Sequence, residues 1–149
     1  MNIRLANAGD VETISKLVLS LSRYYLKSCQ DELPPWFVSM LSSDAFLKRL
    51  HTPSNTTLVG ELNEEVVAYG AMNGSHKLYH LFVLERFHGE GLSRKMWTAL
   101  TAACPSDYYE LNASVYAIAV YEKFGFIKVG NQQEKDGIQF QPMILNLKE

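Results

Sequence analysis

The hydrophobic positions of the chain alternate between a period of two, which favours strands, and a period near 3.6, which favours amphipathic helices. Ile3 and Leu5 alternate with polar neighbours and predict a first strand over residues 2–6. Apolar residues then recur at helical spacing over 11–25, with Asp10 as the expected N-cap. The chain should therefore begin with a strand followed by a helix.

Prolines divide the next part of the chain. Pro34-Pro35 ends any helix that precedes it, because neither residue can donate a backbone hydrogen bond and each restricts the residue before it. Over 36–50 the apolar positions predict a second helical region, which can restart at Ser43 as an N-cap.

Two strand-like runs over 55–62 and 65–72 are joined by a two-residue connection, which predicts an antiparallel hairpin. A third strand is expected over 78–84, antiparallel to the second. The remaining expected elements are a helix over 91–103, a strand over 108–111, a helix over 115–124 and a final pair of strands over 126–130 and 138–147. Because the helix over 91–103 connects two strands by a crossover, those two strands should run parallel.

These elements predict a mixed α/β fold of about seven strands and about four helices. The sheet should be mostly antiparallel, with one parallel pair. A length of 149 residues with 47% hydrophobic positions suits a single domain over 1–149. No apolar run approaches the length of a transmembrane helix, and the amino terminus lacks the pattern of a signal peptide, so we expect a cytoplasmic protein.

The charge and the cysteine content narrow the expected partners. A formal net charge of −2 gives no electrostatic reason to expect nucleic acid, and nothing in the sequence suggests membrane association. Cys29 and Cys104 show no metal-ligand spacing and are expected to be free thiols. The four histidines also lack zinc-ligand spacing, so we expect no metal site.

The segment from Leu78 to Ala99 combines a buried strand, a glycine turn at Gly89 and Gly91, and an amphipathic helix. The first turn of a helix leaves backbone N–H groups free, and glycines let an anion approach them, so this arrangement favours phosphate binding. A P-loop is excluded because no lysine follows Gly91. A dinucleotide fingerprint is excluded because Arg94 stands in the place of its third glycine.

Two motifs in this order carry a family resemblance. Residues 86–91 have the pattern Arg/Gln-x-x-Gly-x-Gly/Ala directly after a hydrophobic strand. Residues 112–126 contain an Asn followed by Ala-x-x-x-Tyr-x-x-x-Gly-Phe, from Ala117 through Tyr121 to Phe126. The chain resembles the GCN5-related N-acetyltransferases (the GNAT family) in both motifs, and the first of them resembles that family's loop for the pyrophosphate of acyl-CoA.

The resemblance implies acetyl-CoA as the cofactor and a sheet that splays at its parallel pair to admit the pantetheine arm. It implies backbone contacts from the end of the strand over 78–84, a pyrophosphate held by the amides of the loop, and further contacts from the second motif. The implied cofactor-binding residues are Phe82, Val83, Leu84, Arg86, Phe87, His88, Gly89, Glu90, Gly91, Leu92, Ser93, Arg94, Asn112, Ser114, Ala117 and Tyr121. For Asn112, a turn residue at a strand end is the competing interpretation.

The resemblance also implies a catalytic acid. Tyr121 matches the family's usual proton donor to the departing thiolate, whereas without the motif it would be an ordinary half-buried tyrosine of an amphipathic helix. For the general base, the strand offers His80 and Tyr79. By alternation His80 shares a face with Leu78 and Phe82, unless a bulge intervenes, and a satisfied core histidine is the alternative. A water molecule could serve as the base, or the amine could arrive already neutral.

The predicted function is the transfer of an acetyl group from acetyl-CoA to a primary amine of a small molecule or a peptide. Tyr24 and Tyr25 could wall the acceptor pocket, or pack as core and rim residues. Residues 137–143 of the last hairpin could contact the acceptor, although a solvated edge is the simpler interpretation. Alternatives are a longer acyl donor, a non-catalytic acyl-CoA sensor, and a structural module that forms a homodimer through its final strands.

Overall fold

A computed structural model describes residues 1–26 and 32–148 of the chain. The strands are β1 (Asn2–Leu5), β2 (Asn55–Leu62), β3 (Glu65–Asn73), β4 (Lys77–Val83), β5 (Tyr108–Ala113), β6 (Ile127–Lys128), β7 (Gln133–Lys135) and β8 (Ile138–Asn146). The α-helices are α1 (Val11–Leu21), α2 (Pro35–Met40), α3 (Ser43–Leu50), α4 (Leu92–Ala103) and α5 (Ile118–Lys123). Short 3-10 turns cover Ala8–Asp10, Ser22–Tyr25, Glu85–Phe87 and Val115–Ala117.

The strands form a mixed sheet in the order β1-β2-β3-β4-β5-β8-β6, and β7 forms a hairpin with β8. Only β4 and β5 run parallel among the described strands, which confirms the predicted fold class and the position of the parallel pair. The hairpin between β2 and β3 is also confirmed. Its connecting residues Asn63 and Glu64 both have positive φ, at 50° and 67°, as a tight two-residue hairpin turn requires.

Helices cover both faces of the sheet. The apolar face of α1 packs with α3 against one side, through Ile14, Leu17 and Phe46. On the other side α4 contributes Met96, Trp97 and Leu100 to a larger core. The sheet is thus buried on both faces, and α4 connects the two parallel strands across the second face.

Two helix caps differ from the prediction in detail. The helix α1 begins at Val11 with Asp10 in the N-cap position, as predicted, but the side chain of Asp10 makes no capping hydrogen bond to α1. Asn7, rather than Asp10, caps the amino-terminal turn, because its side chain accepts a hydrogen bond from the N–H of Gly9 at 2.9 Å. The carboxylate of Asp10 accepts instead from the guanidinium of Arg4, at 2.8 and 2.9 Å. In the second helical region the predicted break is present, but Ser42 is the cap, with its hydroxyl 3.2 Å from the N–H of Ala45.

The remaining expectations concern cysteines and membrane spans. Cys104 is a buried free thiol, whereas Cys29 lies outside the described residues. Within the described ranges, no helix combines the length and the apolar character needed to cross a bilayer.

Candidate functional site

The parallel strands separate soon after they pair. Only two residues of each strand are in register, with Lys77 opposite Glu110 and Leu78 opposite Leu111. Beyond these pairs β4 continues to Val83 without a partner strand on that side in the part of the chain that the structure describes. The separation opens a cleft with a volume of about 340 Å³. The predicted splay is therefore present.

The glycine loop forms one end of this cleft. Gly89 and Gly91 have φ values of +83° and +77°, and a Cβ built on either would meet no atom within 4 Å, so both positions face open space. Among the described residues, the first amide of α4 that hydrogen-bonds back to the loop is that of Lys95. Its N–H donates to the carbonyl of Gly91 at 3.2 Å. The preceding amides are left free at the positive end of a 12-residue helix. This arrangement suits a bound phosphate.

Most of the predicted cofactor-binding residues line this one cleft. They come from the end of β4, from the glycine loop and from the turn that follows β5. Those lining it are Phe82, Val83, Phe87, His88, Gly89, Gly91, Leu92, Ser93, Ser114, Ala117 and Tyr121. The two sequence motifs, separated by a helix and a strand along the chain, thus meet across the gap.

Five of the predicted residues lie elsewhere. Leu84 packs into the hydrophobic cores, and Glu90 is exposed. The guanidinium of Arg86 pairs with the carboxylate of Glu65. These contacts turn the side chains of Leu84 and Arg86 away from the cleft, although the backbone of Arg86 and Glu90 remains part of the loop.

The other two are Arg94 and Asn112. Arg94 donates to the carbonyl oxygen of Lys123 at 2.9 Å, and its guanidinium lies 4.8 Å from the ring centre of Phe124. Asn112 lines a second cavity and not the cleft. The loop therefore offers backbone amides to a ligand, while its arginine side chains are engaged with the protein.

Several walls of the cleft were not predicted from the sequence. Leu21, Leu81, Tyr116 and Val120 line it and were not proposed as binding residues. Tyr116 and Val120 lie inside the second motif, and this position was the feature of the sequence that could have identified them as cleft residues. Tyr24 also lines the cleft, with its ring centre 5.2 Å from that of Tyr116 in an edge arrangement. This contact brings the segment after α1 against the turn before α5.

Tyr121 is buried in the wall of the cleft, with 8% of its surface exposed. Burial raises the pKa of its phenol far above the ordinary value, and the neighbouring phenol of Tyr25 adds to the effect. The group is therefore a neutral O–H at physiological pH. A protonated group beside a cleft can donate a proton but cannot accept one.

A β-bulge in β4 changes the facing of its residues. His80 pairs with Ala71 and Leu78 with Met72, so Tyr79 has no partner in β3. A bulge is the exception that the sequence-based prediction allowed for: His80 still shares a face with Phe82, but Leu78 does not continue the alternation. Leu78 packs in the core beneath α4, whereas Tyr79 and His80 lie together on the opposite face with ring centres 4.1 Å apart.

Tyr79 and His80 line the second cavity, which has a volume of about 220 Å³. Tyr25 and Phe82 line both this cavity and the cleft, so the two spaces adjoin at these side chains. Aromatic residues from α2 and β8 complete the walls. The chain thus places two adjoining spaces at the point where the parallel strands separate.

The environment of His80 suppresses its charge. Its Nδ1 lies 3.0 Å from the hydroxyl of Tyr69, and the ring of Phe46 packs at a centroid distance of 6.0 Å. Burial, with a further contribution from the charge of Arg49, lowers the pKa of His80 to about 3. The imidazole is therefore neutral across the physiological range and is a weak proton acceptor.

Comparisons with known proteins agree with this geometry. A GCN5-related N-acetyltransferase structure from Rhodopseudomonas palustris shares 18% identity at a TM-score of 0.76, over 98% of this chain and 95% of that one. The PaiA N-acetyltransferase from Thermoplasma acidophilum, solved with coenzyme A, shares 12% identity at a TM-score of 0.76, over 97% and 98%. YncA, a putative acetyltransferase from Salmonella typhimurium solved with acetyl-CoA, shares 21% identity at a TM-score of 0.72, over 100% and 95%.

These structural similarities establish the fold. No curated protein matches the chain significantly. The family described as "Acetyltransferase (GNAT) domain", however, matches residues 25–147, which is most of the sequence. The chain therefore belongs to the GNAT acetyltransferase family.

Proposed function

We propose that this protein is an N-acetyltransferase that transfers the acetyl group of acetyl-CoA directly to a primary amine. The observation that carries the proposal is the cleft at the splayed parallel pair, which is lined both by the glycine loop with its free amides and by the buried side chain of Tyr121. A second cavity adjoins this cleft at Tyr25 and Phe82 and offers room for the acceptor.

The residues present fit the cofactor of the family. The loop from Gly89 to Gly91 carries no Cβ at its two glycines, and the amides that begin α4 are free to donate to a diphosphate. The unpaired side of β4 offers backbone groups to amides of a pantetheine arm. Acetyl-CoA, when bound, supplies the reactive acetyl thioester.

The proposed roles of the side chains follow from their charge states. Tyr121 is held neutral by burial and would donate its proton to the departing thiolate sulfur. The proton that the attacking nitrogen loses as the amide forms would return to the phenolate of Tyr121, so that one proton passes in total from nitrogen to sulfur. Free N–H groups of β4 stabilise negative charge on the acetyl oxygen, because they are fixed by the sheet and need not reorganise. The walls of the two spaces hold the reactants close to each other, which makes the reaction effectively intramolecular.

The general base predicted at His80 or Tyr79 stays a prediction. Both side chains lie on the acceptor side of β4, as such a role requires. The low pKa of His80 favours a different arrangement, in which the amine loses its proton before it enters and His80 orients it. A pH profile distinguishes the two arrangements, because a titrating histidine contributes an ionisation near its own pKa.

The choice of acceptor amine and of acyl donor rests on the family and on the second cavity. Small-molecule amines and peptide amines are both to be tested as acceptors. A longer acyl-CoA is to be tested as the donor. The cytoplasmic location and a homodimer formed through the final strands are further predictions. A sensor that binds acyl-CoA without catalysis is the alternative, and the presence of Tyr121 in the wall of the cleft argues against it.

Thiol release from acetyl-CoA tests the proposal directly. Acetyl-CoA is supplied together with amines, amino acids or peptides, the free thiol is followed over time, and the acetylated product is identified by mass spectrometry. Amine-dependent release with an acetylated product is the expected result. Binding of CoA in a thermal-shift assay without transfer to any acceptor would replace the proposal by the sensor alternative.

A further inference from the structure

The second cavity has a wall that consists mainly of aromatic rings. Trp36 and Phe37 of α2 pack edge to face with ring centres 5.7 Å apart, and Phe37 contacts Tyr25 at 5.6 Å. Tyr79 and Phe140 contribute further rings. Aromatic rings prefer edge-to-face and offset contacts with other rings, so this wall is suited to a flat aromatic group.

The outer part of this wall is held in place by polar contacts. The indole N–H of Trp36 donates to the carboxylate of Asp136 at 2.8 Å, and the ammonium of Lys135 lies 4.8 Å from the ring centre. Both partners belong to the β7–β8 hairpin, which also supplies Phe140. These contacts hold the indole of Trp36 at the edge of the cavity.

The charge around the cavity disfavours a polycationic ligand. Of the described residues that line it, Lys77 is the one with a full charge, since His80 is neutral and no Asp or Glu is among them. The guanidinium of Arg49 lies behind the wall, 5.3 Å from the ring centre of Tyr79. An acceptor with several ammonium groups would meet positive charge here and find no carboxylate among these residues.

The cavity offers room for a small acceptor. Its volume of about 220 Å³ lies below the range typical of pockets for drug-sized ligands. This space accommodates one ring and a short chain. The chain would point toward Tyr25 and Phe82, where the cavity adjoins the cleft.

We infer that the acceptor is a small primary amine that carries an aromatic ring on a short alkyl chain. This inference rests on the proposed function and adds the class of the acceptor. The ring would pack among Phe37, Tyr79 and Phe140, and its amine would reach the junction of the two spaces in the neutral form.

The test compares three amines at saturating acetyl-CoA: phenethylamine, the acyclic hexylamine and the polycationic spermidine. We expect kcat/KM for phenethylamine to exceed that for hexylamine by roughly three- to tenfold, which is the effect of aromatic contacts beyond buried area. Spermidine should be the poorest of the three. Calorimetric titration of the same amines into the CoA-saturated protein gives the order of affinities independently of turnover.

Two variants test whether the preference for phenethylamine arises in the second cavity. Phe140→Leu should remove the preference for phenethylamine over hexylamine and leave the affinity for CoA unchanged. Tyr108→Leu is the matched control, because Tyr108 is a half-buried aromatic residue of β5 outside the two cavities, and it should keep the preference. The wild-type ratio needs no variant and remains decisive if Phe140→Leu does not fold.

The possible results distinguish a failure of the inferred acceptor class from a failure of the proposed acetyltransferase function. Faster acetylation of hexylamine or spermidine than of phenethylamine would overturn the acceptor class and leave the N-acetyltransferase intact. Retention of the aromatic preference in Phe140→Leu would contradict the assignment of the cavity. Binding of CoA without transfer to any of these or other amines would overturn both the function and the inference.

Discussion

The imidazole Nε2 of His88 lies 2.6 Å from the backbone carbonyl oxygen of Val83. His88 belongs to the glycine loop and Val83 ends β4, so this hydrogen bond fixes the loop to the strand that forms the edge of the cleft. The carbonyl is on the side of β4 that faces the gap. His88, predicted from the family as part of the cofactor site, thus holds the loop in position.

Loss of this hydrogen bond should loosen the loop. In His88→Ala we expect the Kd for CoA to rise about fivefold, because a typical hydrogen bond contributes about 1 kcal/mol. Isothermal titration calorimetry measures the change. His76→Ala is the matched control, since His76 lies exposed in the turn before β4 and near Glu110, away from the loop. An equal loss of affinity in both variants would contradict the role of His88.

Removal of the hydroxyl of Tyr121 should affect the chemical step. We expect Tyr121→Phe to lower kcat by roughly 10²- to 10⁴-fold, the usual contribution of a general acid, with little change in the affinity for CoA. Steady-state thiol release measures kcat, and calorimetry measures the affinity.

The control for this variant is Tyr109→Phe. Tyr109 is also buried, but its hydroxyl donates to the carbonyl of Cys104 at 2.6 Å, outside the cleft. Its loss should cost about 1 kcal/mol of unfolding free energy and leave kcat unchanged. Turnover that survives Tyr121→Phe would remove the assignment of the acid.

A side chain at the second loop glycine should interfere with phosphate binding. Gly91→Ala places a Cβ in open space at φ +77°, so we expect a loss of about 1–2 kcal/mol in stability from backbone strain. It should also weaken the binding of CoA by roughly 10- to 100-fold, because hydrogen bonds to a charged group are strong.

Gly130→Ala separates these two effects. Gly130 also has a positive φ, +70°, a Cβ placed on it would meet no atom within 4 Å, and the residue is exposed away from the loop. The same strain should lower its stability, measured by urea unfolding, without a change in the Kd for CoA. Equal affinities of the two variants would show that the loop does not bind the diphosphate.

The low pKa of His80 should make stability depend on pH. The folded pKa of about 3 lies below the unfolded value near 6.5, so the unfolded chain binds more protons between these values. Stability from this residue is fully present above pH 6.5 and falls as the pH decreases, by roughly 2 kcal/mol between pH 7.5 and 5. Urea unfolding at both pH values measures the difference.

His80→Gln should lack this part of the pH dependence. The lowered pKa values of Asp10 and Glu85 act at lower pH and are common to both proteins, so they do not obscure the comparison. The same decrease in wild type and variant would show that His80 titrates normally in the folded state.

The parts of the fold that depend on local patterns were predictable from the sequence. The hairpin at 63–64, the glycine loop and the crossover helix each have their determinants within a short segment, and the parallel pair follows from the connection between them. The features that were not predictable depend on contacts between residues that are distant in the sequence. The carboxylate of Asp10 does not cap α1, because it accepts hydrogen bonds from Arg4 and from the N–H of Asn7. The bulge at Tyr79 depends on the pairing of β4 with β3.

The same distinction applies to the candidate site. The two motifs supplied most of the cleft residues, since the loop and the turn before α5 are continuous in sequence. The second cavity was not predictable as a unit, because its walls come from α2, β4 and β8. Its nearest signals were Tyr25 and Phe140, each of which also fitted a simpler interpretation as a packing or edge residue.

The central claim is that the amides of the glycine loop hold the diphosphate of coenzyme A. Calorimetric titration of the wild-type protein with CoA and with pantetheine, which lacks the diphosphate and the adenosine 3′-phosphate attached to it, tests it most directly. We predict tight binding of CoA and an affinity for pantetheine that is lower by roughly 100-fold or more, as expected when several charge-assisted hydrogen bonds are lost. Equal affinity for the two ligands, or no binding of either, would contradict the account.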